Sequence, residues 1–276
     1  MAFPRHALAA LLALPLLWPA RSVGEPAAPP LAPHRAIYEL TLLQGAGARA
    51  PMQAQGRIAF DFTGSACDGY VQNFRQTTEV QPDEGASRVS DMHSATFEAG
   101  DGHEFRFKIK TTVDDGATED VDGAAKRGKD GKLSIELTRP KREKRELPAK
   151  AIFPTEHIQK ILAAARAGQK LLEAQVYDGS GDGSKLFDTL TVIGKPLEKP
   201  APEKAAQLEA LKKLRQWPIA VSYFENGKRD ETPSYVLSFA LYDNGVARAL
   251  KLDYGDFALA GEMTELTLLP APKCDK

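Results

Sequence analysis

Apolar and polar residues alternate over long stretches of this chain. Ala36, Tyr38, Leu40 and Leu42 are separated by Ile37, Glu39 and Thr41, and Ile58, Phe60 and Phe62 are interleaved with Arg57, Ala59 and Asp61. Phe105, Phe107 and Ile109 alternate with Arg106, Lys108 and Lys110, and Leu133, Ile135 and Leu137 with Ser134, Glu136 and Thr138. Successive side chains of a strand point to opposite faces, so this pattern requires strands with one apolar and one wet side. Such strands belong in antiparallel sheets, because parallel sheets are covered on both faces and read as continuous apolar runs. Turn sequences punctuate the runs at Ala99-Gly100-Asp101-Gly102, Asp115-Gly116, Asp130-Gly131, Asn226-Gly227 and Asp243-Asn244-Gly245. Val221–Phe224, Tyr235–Tyr242, Val246–Tyr254 and Phe257–Leu269 extend the pattern as a meander.

Helical spacing is scarce. Ile158, Ile161, Leu162 and Ala165 follow Phe153-Pro154, with Thr155 as the expected N-cap and Gly168 as the stop. A second helix is expected over Glu203–Leu214, where Leu208, Leu211 and Leu214 share a side. The Gly194–Pro202 stretch before it is too proline-rich for regular structure. The expected class is mainly β: a single large antiparallel sheet curled into a spiral or broken barrel, with one or two helices. No internal repeat interrupts it, so residues 33–276 are expected to form one domain.

The first residues read as an address. Arg5 and His6 precede the apolar run Ala7–Trp18, which is shorter than the ~20 residues a membrane-spanning helix needs. Residues 1–24 are expected to be a secretory signal cut near Ser22-Val23-Gly24 or Ala20, with 25–32 as a flexible lead-in. No cysteine follows the run, so no lipid anchor is expected, and no second apolar run is long enough to span a membrane. Losing Arg5 and Arg21 from 36 cations set against 37 anions changes the net charge from −1 to −3. That balance excludes a nucleic-acid binder working through bulk positive charge. Export also changes the meaning of Cys67 and Cys274, which are too few for a four-thiolate zinc site. In an oxidising compartment a disulfide is the leading expectation, with two free thiols as the alternative.

Motifs for catalysis are missing. His34, His93, His103 and His157 show no metal-ligand spacing, and His103-Glu104 lacks the second histidine of a helical zinc protease. Asp178-Gly179-Ser180-Gly181-Asp182-Gly183 matches the start of a calcium loop, but Thr189 stands where the bidentate Glu belongs, so a flexible hairpin loop is expected. No Gly-x-Ser-x-Gly elbow or phosphate-binding loop is present. No catalytic residue, metal ligand or cofactor is therefore assigned. The run containing Arg139, Lys141, Arg142, Lys144 and Arg145 is a candidate contact for an anionic surface or acidic partner, against the simpler reading of a solvated loop.

Cys67-Asp68-Gly69-Tyr70 with Asn73–Gln76, Phe153–His157, Val176–Ser180 with Asp188–Gly194, Trp217–Phe224, and Leu252–Phe257 leading to Cys274 follow one another along the chain. In this order the strings resemble the EipB (envelope integrity protein B) family of alphaproteobacteria. The resemblance covers roughly residues 33 to 274 and is weakest over 46–53 and 195–204. It implies a periplasmic protein with a broken, spiralled β-sheet, loosely like the carriers that ferry lipoproteins. It also implies a disulfide between the family cysteines, matched here by Cys67 and Cys274. The function it implies is non-enzymatic maintenance of the cell envelope. The expected partner is a periplasmic protein or an apolar envelope component, held by a monomer, with no nucleic acid. A lipid or lipoprotein carrier and an envelope hydrolase remain as alternatives.

Overall fold

The structure, a computed structural model, describes residues 30–45, 50–114, 116–148, 150–228, 231–272 and 274. The expectations for the signal 1–24 and for most of 25–32 lie outside these residues. Within 25–32, Leu31 is buried against Gly245, and the Ala32 N–H donates to the Asn244 carbonyl at 2.8 Å.

Strands β1 (His34–Gly45), β2 (Gln53–Ser65), β3 (Gly69–Gln81), β4 (Arg88–Glu98), β5 (Glu104–Val113), β6 (Gly116–Arg127), β7 (Leu133–Arg139) and β8 (Glu143–Leu147) form a meander. After β9 (Ala151–Ile152) and helix α1 (Pro154–Arg166) come β10 (Leu171–Tyr177) and β11 (Leu186–Ile193). The short helix α2 (Glu209–Lys212) precedes β12 (Gln216–Glu225), β13 (Tyr235–Tyr242), β14 (Ala247–Asp253) and β15 (Phe257–Leu268). Among the described residues, fifteen strands join one sheet, ordered β8-β7-β6-β5-β4-β3-β2-β1-β15-β14-β13-β12-β11-β10-β9. Pairing β1 with β15 turns two meanders into a continuous surface. The sheet curls nearly into a barrel, but its end strands β8 and β9 are not paired with each other, which leaves a seam.

The alternation read from the sequence is what curls inward. Ala36, Tyr38 and Ile58 are buried, as are Phe105, Phe107, Leu133 and Ile135, while the other face carries cross-strand ion pairs such as Arg35–Asp61 at 2.8 Å. The sheet is mixed rather than wholly antiparallel, because β9 runs parallel to β10. The helix between them supplies the crossover that parallel pairing needs.

Near the seam the sheet overlaps itself. Val176 and Phe187 face the interior, so their neighbours Tyr177 and Leu186 point outward. Those outward residues share a buried cluster with Phe105, Phe107, Leu133, Ile135 and Leu137 from the inner face of β5–β7. The first meander thus wraps over the back of the last strands, like the free edge of a scroll. The Phe107 and Tyr177 rings meet edge to face at 5.7 Å, and Phe105 stacks on Phe153 at 5.0 Å.

Two local expectations are corrected. Thr155 is not the N-cap of α1: Phe153 takes that position and Pro154 opens the helix, a place where its missing N–H costs nothing. The Glu203–Leu214 segment forms a 3-10 turn, Lys204–Ala206, and the four-residue α2 instead of one helix. Leu208 is extended between them, so that Ala206 and Leu211 both reach a cluster containing Tyr38, Leu40, Leu259 and Met263. A buried Arg248–Glu203 ion pair at 2.9 Å, with Gln216 accepting from the same guanidinium, pins this segment to β12 and β14.

Candidate functional site: an apolar cavity inside the curled sheet

The scroll encloses a cavity of about 1020 Å³. Its walls are the inward residues of both meanders, among them Phe60, Phe74 and Ile109 on one side and Leu237, Phe239 and Leu252 on the other. These positions are cross-strand partners or near neighbours: Phe60 faces Phe74, and Leu237 faces Leu252. The volume lies at the upper end of small-molecule pockets, and such pockets are mostly apolar with a few placed polar groups.

One group of polar residues lies along the β10–β11 loop and the strands beside it. Tyr223 and Tyr235 are cross-strand partners whose rings stack at 4.3 Å, with the Phe187 edge 5.8 Å from the first. Burial pushes both phenols up and also raises the Asp178 carboxyl, whose Oδ1 accepts the Ser180 N–H at 2.9 Å. The β10–β11 loop is a seated strap rather than the flexible hairpin expected from its glycines. Gly179 and Gly183 have φ of +79°, and a Cβ on them would come within 2.4 Å of the Phe107 ring and 2.5 Å of Leu137 respectively. Tyr177 donates its hydroxyl to the Gly183 carbonyl at 2.9 Å, and Arg145 reaches Asp182 at 3.5 Å across the seam.

The first turn of α1 also lines the cavity. Ile161 and Leu162, further along, are fully buried with Trp217, Ile219 and Leu241. Arg166 in the last turn is tied to Asp243 at 2.6 Å. Buried Glu98 at the end of β4 accepts the Thr155 and Glu156 N–H groups at 2.7 and 2.8 Å. It thereby supplies, from a distant strand, the cap that the helix's own sequence lacks. Burial raises the Glu98 carboxyl to about 7, against the opposing pull of those two hydrogen bonds. Arg127 braces the same junction, donating to the Gly102 and Ala151 carbonyls and to Glu156.

Two of the four histidines outside the expected signal meet at the cavity. His34 and His157 are both 3% exposed and line it, whereas His93 and His103 lie on the surface beside Asp91 and Asp101. Burial lowers both cavity imidazoles, His157 to about 4. His34 commits Nδ1 to the Ala32 carbonyl at 2.8 Å; His157 Nε2 is buried with no hydrogen-bond partner. Sequence reasoning passed over His157 and Glu98. The available signal for His157 was its place one turn before Ile161, on the buried face of α1.

Cys67 and Cys274 are bonded, their Cα atoms 5.8 Å apart. The bond fastens residue 274 to the β2–β3 turn. The basic run is divided: Arg139 pairs with Asp120 and Asp122 at 3.1 Å each, Lys144 with Glu136, and Arg145 with Glu143 and Asp182. Lys141 and Arg142 sit exposed in the β7–β8 turn, next to Pro140, which lines the cavity. Among the described residues no group of three or more His, Cys, Asp or Glu side chains is placed to hold a metal ion, and no helix is long and apolar enough to cross a membrane.

The described residues thus form a broken β-barrel wrapped around a large, mostly apolar cavity with a few polar groups set into its wall. The family model described as EipB-like matches residues 25–270, and the chain belongs to that family. It is 37% identical over 276 residues to cell envelope integrity protein EipB of Brucella abortus (strain 2308), an alignment covering 99% of this chain and 98% of that protein. A crystal structure of a beta-barrel-like protein from Brucella abortus, assigned to a domain of unknown function, superposes with a TM-score of 0.81. It shares 38% identity and covers 88% of this chain and 100% of its own.

Proposed function

We propose that this chain is a non-enzymatic periplasmic protein that supports cell envelope integrity by holding the apolar part of an envelope component in its interior. The cavity carries the reading: its walls are mostly aliphatic and aromatic, and a single chain builds all of them, so a monomer suffices. The relative's name, cell envelope integrity protein EipB, supplies the physiological setting. The disulfide suits an exported protein, since such bonds persist in oxidising compartments. Lys141 and Arg142, beside Pro140, would let an anionic membrane surface meet the molecule next to the cavity.

The test is genetic and uses a wall residue. Leu237→Trp puts a larger side chain into the cavity from β13. In a strain lacking the protein, wild type should restore growth in detergent, and Leu237→Trp, exported and folded at the same level, should not. Full restoration by the blocked variant would count against the cavity as the functional site.

A further inference from the structure

We propose that the cavity is entered from the end of the barrel formed by the β7–β8, β10–β11, β12–β13 and β14–β15 turns, and that its occupant is a long-chain amphiphile seated tail first, with the tip of its chain against α1 and its polar head in water at those turns. The inference rests on the cavity being a binding site. It adds the direction of entry and the part of the ligand that is recognised.

The strand register decides which turns share an end. His34 lies between Phe62 and Leu268, and Gly45 lies beside Phe257, so β1 runs from the β2–β3 turn toward the β14–β15 turn. Following the antiparallel pairs around the sheet places the four turns named above at one end and the β2–β3, β4–β5 and β13–β14 turns at the other. Helix α1 crosses that second end. Glu98, the last residue of β4, holds its first turn, and Asp243 in the β13–β14 turn holds Arg166 in its last. Between those ties Ile161 and Leu162 pack in one buried cluster with Phe62 and Tyr70 from β2 and β3 and with Trp217 and Leu241 from β12 and β13. The helix therefore fills the bore from wall to wall. Leu31 and Ala32 close the remaining side, against Gly245 and Asn244.

The residues lining the cavity sort along the same axis. Those that are exposed are Pro140, Asp182, Lys185, Ser234 and Tyr254, and all five belong to the turns of the first end. The carboxylates and the ammonium group sort the same way: Glu119 and Asp120 stand near the start of β6, and Asp178, Asp182 and Lys185 belong to the β10–β11 loop. At the α1 end the lining side chains are apolar or neutral. His34 Nδ1 is bonded to the Ala32 carbonyl, His157 Nε2 is buried out of reach, and burial lowers both imidazoles. A charged head pressed against α1 would lose its water and gain no counter-charge, whereas the methyl end of a chain loses nothing there. At the turns the charges have both signs, Asp182 and Lys185 with Lys141 and Arg142 beside Pro140, so the chain and not the charge of the head is what the site selects. The wall of β13 from Tyr235 to Leu241 runs about 20 Å, which calls for a long chain.

The experiment titrates the exported protein, purified from the periplasm, with hexadecanoate, with hexadecanedioate (a carboxylate at both ends), and with hexadecanoate brominated either on its last carbon or beside the carboxylate. Trp217, packed with α1, is the reporter; the other tryptophan, Trp18, lies in the segment expected to be removed on export. Hexadecanoate should bind one to one. Hexadecanedioate should bind at least about a hundred-fold more weakly, because its second carboxylate would be buried at the α1 end. Bromine on the last carbon should quench Trp217 strongly, and bromine beside the carboxylate only slightly. Hexadecanedioate binding as tightly as hexadecanoate overturns the inference. So does quenching by the head-side bromine that equals or exceeds that of the chain-end bromine. Both results keep the cavity reading, since the chain is still bound; failure of every probe to bind removes both.

Discussion

Glu98 offers the sharpest test of how the curled sheet is latched to its helix. The substitution Glu98→Gln keeps the shape of the side chain that caps α1 and removes its charge. The acid is 4% exposed, and burial lifts its carboxyl from 4.5 to about 7 in the folded protein. A folded-state value above the unfolded one means that the folded protein holds the proton more tightly. The stabilisation from this group is therefore complete below about pH 4.5 and is lost as pH rises through about 7, a change on the order of 3 kcal/mol. His157 acts in the opposite direction. Its folded value falls from 6.5 to about 4, so its contribution is present above the unfolded value and lost as pH drops through the folded one. In the wild type the two slopes largely cancel between pH 4.5 and 6.5. Urea unfolding of both proteins across this range isolates Glu98 as the difference between them. The stability of wild type relative to Glu98→Gln should fall by about 3 kcal/mol from acid to neutral pH. A flat difference would refute the reasoning. A difference that grows with pH would mean that the two N–H bonds outweigh burial and that Glu98 is a permanent anion.

Three further outcomes follow from the packing. Cys67→Ser frees the chain end from the β2–β3 turn and should lower stability by as much as about 5 kcal/mol, since the loop spans 207 residues; equal urea midpoints for oxidised wild type and variant would contradict this. Gly179→Ala forces a Cβ against the Phe107 ring at a positive φ, whereas Gly255→Ala meets open space at a similar φ. Thermal unfolding should show the first losing about 1–3 kcal/mol more than the second, and equal losses would mean that the strap is not seated. Glu203→Gln leaves the buried Arg248 charge uncompensated and should cost roughly 3–5 kcal/mol, while the double change to Glu203→Leu and Arg248→Met should cost less than the sum of its parts. Strict additivity would show that the pair is not coupled.

The strands were readable because period-2 alternation reports directly on which face is dry. Phe105, Phe107, Leu133 and Ile135 needed no tertiary knowledge to be assigned inward. The scroll overlap was not readable. Tyr177 and Leu186 look like ordinary wet-face residues of a hairpin until β5–β7 cover them, and that contact joins distant parts of the chain, as between Phe105 and Tyr177. The strap failed for the same reason: its glycines suggest freedom, but Gly179 and Gly183 are glycines because side chains from another layer leave no room for a Cβ. Thr155 resembles a capping residue in the sequence but lies one residue inside the helix, and the cap arrives as Glu98 from 57 residues earlier. His157 is the instructive case for the site. Its helical position put it on the buried face, but a buried histidine is usually satisfied, and that its Nε2 finds no partner emerges only from the three-dimensional packing.

The central claim is that the interior of the curled sheet holds one amphiphile. Native mass spectrometry of the protein extracted gently from its own envelope measures this without choosing a ligand beforehand. The account predicts a one-to-one adduct with the mass of a single lipid, absent from Leu237→Trp prepared in the same way. An adduct-free wild type, or an adduct undiminished in the blocked variant, would contradict it.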